Sequence, residues 1–65
     1  MTEPILQFFR FDHLPPHLRD VSKSFSDLAH HLVVNLPRNP ERTVALRKLL
    51  EAKDAAVRAA IMEPA

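Results

Sequence analysis

The residues best equipped for chemistry stand near the start of the chain, where Phe8, Phe9 and Phe11 surround Arg10 and are followed by Asp12 and His13. Flat rings can stack a nucleobase, and guanidinium or ammonium groups hold phosphate. The same three rings could equally serve as anchors that pack the arm into an oligomer. A second candidate lies at Pro40-Glu41-Arg42-Thr43. If a helix starts there, its free amides, together with Arg42, Thr43 and Arg47, could receive a phosphate at the positive end of the dipole. Ordinary capping is the competing reading of that start.

Catalysis has little to build on. With Cys 0, a nucleophile would have to be serine beside an oriented base, and Ser22, Ser24 and Ser26 fall within one helical turn among residues read as surface. His30 and His31 are neighbours, so on a helix they point about 100° apart and do not chelate one ion together. His13 and His17 have a spacing of four, but Pro15 and Pro16 stand between them. The reading is of a non-enzyme with no metal and no cofactor.

The elements that must position these groups are set by proline. The chain has 65 residues, Gly 0 and Pro 6, so breaks come from residues that lack an amide donor and restrict the residue before them. Pro4 lies in an arm covering residues 1–14, Pro15 and Pro16 open a first helix, Pro37 closes it, Pro40 opens a second, and Pro64 lies in the tail. Leu18, Val21, Phe25, Leu28 and Leu32 alternate in steps of three and four, which predicts a helix over 16–36 with that stripe packed. Asn39 is a good N-cap with Pro40 in the first helical position and Glu41 in the first turn, and the residues to Ile61 have high helix propensity, which predicts a helix over 40–61. Two helices of roughly 30 Å joined by Leu36-Pro37-Arg38-Asn39 form an antiparallel hairpin, making an all-α, single-domain chain.

The second helix carries two apolar rows. Ala45, Leu49, Ala52, Ala56 and Ala59 form one, and its small side chains suit close approach to the first helix. Leu46, Leu50, Val57 and Ile61 form another, interrupted by Lys53. Together with Ile5, Leu6, Phe8, Phe9 and Phe11 of the arm, that second row is expected to be covered by other subunits. Arg47, Glu51, Asp54 and Arg58 make a solvated charged row. A chain of this length buries only about 60% of the surface its unfolded form exposes, so homo-oligomerisation is expected to complete the core. A formal charge of +1, without a block of like charge, argues against binding to DNA or RNA polymers. No apolar run approaches the roughly 20 residues of a membrane span, and Met1-Thr2-Glu3-Pro4 lacks a basic leader region, so the expectation is a cytoplasmic protein.

Two stretches carry a likeness. The run Phe11-Asp12-His13-Leu14-Pro15-Pro16-His17-Leu18-Arg19 and the segment LPRNPERTVALRKLLEAKDAAVR, from Leu36 to Arg58, resemble the hairpin domain of phage-encoded anti-CBASS nucleotide sponges. The resemblance covers most of the chain. It implies a hexamer of hairpins in the host cytoplasm that sequesters cyclic di- and trinucleotide second messengers without cleaving them, so that the antiphage effector is not activated. The family's base-stacking tyrosine ahead of helix one corresponds best to Phe11, and its phosphate-contacting lysine in helix one to Lys23, with a shorter spacing between the two. His13 stands beside this ring. Arg42, Thr43 and Arg47 are the candidates for the larger cyclic trinucleotides. The alternative is a structural or protein-binding hairpin with no small ligand, whose apolar row docks a partner helix.

Overall fold

A computed structural model describes residues 3–62 and 64. Among the described residues the structure is helical and contains no strand. A short 3-10 helix spans Pro4–Phe9, and two long helices follow, α1 over Pro16–Asn35 and α2 over Pro40–Ile61. Proline stands at the start of all three, where its missing N–H has no intrahelical partner to lose. Asn39 caps α2 as its type predicts, its Oδ1 accepting from the Arg42 amide at 2.9 Å. α1 ends at Asn35, and the Leu36 amide closes the last turn on the Leu32 carbonyl at 3.0 Å.

The arm folds back onto its own chain. In a 3-10 helix, residues three apart eclipse each other, so Leu6 and Phe9 share one face, and both are buried. They meet Ala29 of α1 and Leu46 of α2 in the core, with Ile5, Phe25, Leu32, Val33, Leu49 and Leu50 packed around them. Phe9 is 0% and Leu46 1% exposed. Each such side chain contributes about 1.5–3 kcal/mol by leaving water, a large share of the stability of a chain this small. Leu6 and Phe9 are thus covered within the protomer, contrary to the expectation that other subunits would cover them. Phe8 stays exposed.

Both helices present faces other than those the apolar pattern suggests. On α1 the buried residues are Ser22, Ser26 and Ala29, while Leu18, Val21, Phe25 and Leu32 are half-buried and Leu28 is 45% exposed. One residue turns a helix by 100°, so α1 is rotated by roughly a quarter turn from the stripe that its leucines mark. On α2, Leu46 is buried and Leu50 and Val57 are half-buried, whereas Ala52 and Ala59 are exposed. The expected division, alanine row inward and leucine row outward, does not hold: Ala45, Leu49 and Ala56 are half-buried as well, and Ile61 of the other row is exposed. The small residues that let the elements approach come from α1, and the arm supplies Phe9 over the same spot, so α2 has room to insert Leu46. Lys53 fits this face because its stem is buried while its ammonium stands 3.2 Å from the Asp54 carboxylate.

One interaction joins all three helices. The buried Arg42 donates from Nη2 to the Glu3 carboxylate of the arm, and from Nη1 to the carbonyls of Val33 and Leu36 at the end of α1, both at 3.2 Å. A cation at these carbonyls complements the negative end of the α1 dipole. Arg38 adds a longer approach to Glu3 at 3.9 Å.

The Ser22 hydroxyl is fully buried and has no hydrogen-bond partner among the described residues. Leaving such a group unsatisfied costs about 1–3 kcal/mol, and alanine is the better helix former. Ser22→Ala is therefore expected to raise stability by about 1 kcal/mol, read as a higher urea midpoint at unchanged slope; a lower midpoint would show that the hydroxyl has a partner in solution.

Candidate functional site

The arm and α1 enclose an open groove of about 470 Å³. Its walls combine the chemistry of both elements: Gln7 and Arg10 from the arm, Phe11 and Asp12 just after it, and Ser26 and His30 from α1. The groove exists because Leu6 and Phe9 pin one side of the 3-10 helix to the core, which leaves Gln7 and Arg10, the next residue pair three apart, along its edge. Phe11 follows where the backbone leaves the helix and enters the turn closed by the Leu14 amide on the Phe11 carbonyl at 3.1 Å. Its ring is half-buried. On α1, the spacing of four puts Ser26 and His30 on one face.

The groove is electrostatically mixed. Arg10 is exposed and cationic, Asp12 is exposed and anionic, and Glu3, which also reaches the lining, spends its charge on Arg42. His30 Nδ1 lies 2.7 Å from the Ser26 carbonyl, an acceptor, so Nδ1 carries the proton. The other ring nitrogen, Nε2, then accepts a hydrogen bond in the neutral ring and donates one in the cation. An aromatic face, a guanidinium, an amide and an imidazole on one rim can together stack a flat ring and bond to phosphate or base-edge atoms.

Of the six residues named from the sequence, Phe11 alone lines this groove. His13 is exposed in the adjoining turn. Lys23 is exposed on α1 and pairs with Asp27 at 2.8 Å; that hydrogen bond, and then the carboxylate's charge, hold its pKa above the ordinary 10.5. Lys23 precedes Ser26 by three residues and His30 by seven, so it continues the Ser26–His30 side of α1 about 10 Å from His30 along the axis. Arg42 is buried and 8% exposed, its terminal nitrogens engaged with Glu3 and two carbonyls, which makes it a tie between elements. Thr43 is exposed in the first turn of α2, its amide 3.3 Å and its hydroxyl 3.5 Å from the Asn39 carbonyl, and Arg47 is exposed one turn further on.

Arg10, Gln7 and His30 were not named as site residues from the sequence. Arg10 stood in view among the phenylalanines, whereas His30 could have been reached only by placing the arm against the Ser26 side of α1. Among the described residues no group of three or more His, Cys, Asp or Glu side chains could hold a metal ion, and no helix is long and apolar enough to cross a membrane. Comparison with family models, with curated proteins and with solved structures gives no match.

The His30 geometry is directly checkable. Nitrogen NMR of the neutral ring should report the proton on Nδ1, whereas a predominantly Nε2-protonated ring would mean that the Ser26 carbonyl is not its acceptor.

Proposed function

We propose that this protein is a sponge: it binds cyclic di- and trinucleotide second messengers and withholds them from a CBASS effector without cleaving them. The observation that carries the reading is the groove between arm and α1, where the Phe11 ring and the Arg10 guanidinium share one rim. Phe11 stacks a base, Arg10 pairs with a phosphate, and Lys23, two turns before His30 on the same side of α1, meets the ligand where it extends beyond the groove. A phosphate there would have to displace the Asp27 partner of Lys23. The likeness of the Phe11–Arg19 and Leu36–Arg58 stretches to the phage sponges supports the same ligand class.

In this reading the two long helices form an antiparallel hairpin that assembles into a homohexamer in the host cytoplasm, and symmetry supplies each pocket's rings and cations in duplicate, matching a ligand with two phosphates and two bases. Thr43 and Arg47 are a second phosphate locus for cyclic trinucleotides at the start of α2; Arg42 takes no part in it, its guanidinium being committed to Glu3 and its amide to the Asn39 cap. The protein is not an enzyme: it acts by affinity and number. Of the hydroxyls on the arm side of α1, Ser22 is buried in the packing, and Ser26 reaches the groove wall while only 5% exposed.

The exposed apolar side chains support a second reading, a hairpin that docks a protein and takes no small ligand. Val34 is 81% exposed, and Ile61 and Met62 at the end of α2 are also largely open.

Calorimetric titration with a panel of cyclic di- and trinucleotides, followed by heat release and re-assay of the ligand, tests the proposal. Tight binding with intact ligand recovered is the expected result. Stacking is worth about 1–3 kcal/mol per base, so Phe11→Ala should weaken binding by about 5- to 150-fold at unchanged helicity, and Phe11→Tyr should retain it. No heat with any nucleotide would leave the protein-docking reading, and recovery of linear product would reveal an enzyme.

A further inference from the structure

The groove between arm and α1 holds two polar side chains that phosphate binding leaves unused. Arg10 is the only lysine or arginine among its lining residues, and the reading above gives it to a phosphate. Gln7 and His30 remain, one from each wall. When the imidazole is neutral, both offer uncharged donors and acceptors, the groups with which proteins read the edge of a base.

The backbone constrains where these two stand. Gln7 is exposed on the arm edge three residues before Arg10, so about 6 Å separates the two along the arm. A guanidinium on the phosphate therefore leaves the carboxamide beside the rest of the nucleotide, and Phe11 supplies the ring on which the base stacks. On the other wall the His30 ring is held, because Nδ1 donates to the Ser26 carbonyl at 2.7 Å. Its open nitrogen is Nε2, an acceptor while the ring is neutral.

A glutamine carboxamide sets an acceptor and a donor side by side, the pattern that fits N6 and N7 of adenine. The N6 amino group has two hydrogens, and Gln7 takes one of them. A second acceptor on the other wall, His30 Nε2, completes the set. Guanine carries an oxygen at position 6 instead. Its lone pairs would meet the lone pair of His30 Nε2, and turning the Gln7 amide to serve O6 would leave the amide oxygen against N7.

We infer that the groove selects adenine over guanine in a cyclic nucleotide, with Gln7 on N6 and N7 of a base stacked on Phe11 and the neutral His30 ring accepting the second N6 hydrogen at Nε2. The inference rests on the nucleotide reading above and adds which base the pocket takes. Selectivity comes from the unpaired groups that the wrong base leaves as much as from attraction to the right one. It also acquires a pH dependence of definite sign. Protonation makes Nε2 a donor, which suits O6 and opposes the amino group of adenine, so acid narrows the preference. The other charged groups at the groove are Arg10, Asp12 and the Arg42-bound Glu3 from the arm side, and the Lys23–Asp27 pair further along α1; α2 supplies none of the lining residues. Ligands with the same phosphates meet those charges alike, so their effect cancels in a ratio of affinities.

Calorimetric titration with cyclic di-AMP, cyclic di-GMP and cyclic di-IMP tests the assignment. Hypoxanthine has the O6 of guanine without its 2-amino group, so the inosine ligand separates hydrogen bonding at position 6 from the bulk at position 2. At about pH 8 the adenine ligand should bind about 5- to 150-fold more tightly than the other two. Lowering the pH to about 5, through the range in which imidazole titrates, should narrow that ratio. Gln7→Met, which keeps the size and loses the amide, should remove most of the preference while binding persists. His30→Ala should reduce the ratio and leave what remains independent of pH. Both positions are exposed, so the fold tolerates these changes. Equal affinity for the adenine and hypoxanthine ligands, a ratio unchanged in Gln7→Met, or a pH dependence that persists in His30→Ala would overturn the assignment and leave the sponge standing. No heat with any of the three ligands would overturn both.

Discussion

The structure depends on one arginine. Arg42 sits in the first turn of α2, buried, and its guanidinium reaches the carboxylate of the arm and the last carbonyls of α1 at once. Carbonyls at a helix end need a donor, and a buried cation needs a counter-charge; each deficiency is met by the other. The Nε of Arg42 has no partner among the described residues, so the arrangement is demanding as well as tight. Taking charges out of water is expensive, and a buried pair can be less stabilising than apolar residues of the same size. What this one adds to the packing of Leu6 and Phe9 is a definite place for the start of the arm, tied through Glu3 to both long helices.

From the arm's position the rest follows. Leu6 and Phe9 close the core over Ala29 and Leu46, and the opposite edge of the same short helix becomes a wall of the groove. The phenylalanines therefore divide their duties along the chain: Phe9 packs, Phe8 faces water, and Phe11, just past the helix, stays half-open beside Arg10.

Much of the backbone was legible in the sequence because proline and asparagine act locally. Asn39 followed by Pro40 could hardly be anything but a helix start, and the Pro37–Asn39 connection bounded both helices to within a residue. The choice of packed face was not legible. α1 carries one apolar stripe and α2 two, and periodicity ranks faces by hydrophobicity, whereas close approach selects by size. Ser22 and Ser26 are buried because they are small, a property that a polarity pattern hides. Arg42 was misleading for a related reason. At a helix N-terminus beside Thr43 it has the look of a phosphate ligand, and its actual partner, Glu3, is 39 residues away in sequence. His30 belongs to the groove only because the arm is laid against it. Phe11 was nominated from the phenylalanine run around Arg10 and from its correspondence to the sponges' stacking tyrosine, whereas the 3-10 helix that sets it beside the groove was not read from the sequence.

A double-mutant cycle on Glu3→Gln and Arg42→Met, followed by urea unfolding, tests the account most directly. If the carboxylate and guanidinium hold the arm together, the two substitutions will be strongly non-additive, with a coupling of about 1–3 kcal/mol, and either alone will increase hydrogen exchange over the arm. Additive effects, with the arm protected as in the wild type, would contradict the claim that this contact sets the fold of the arm and the shape of the groove.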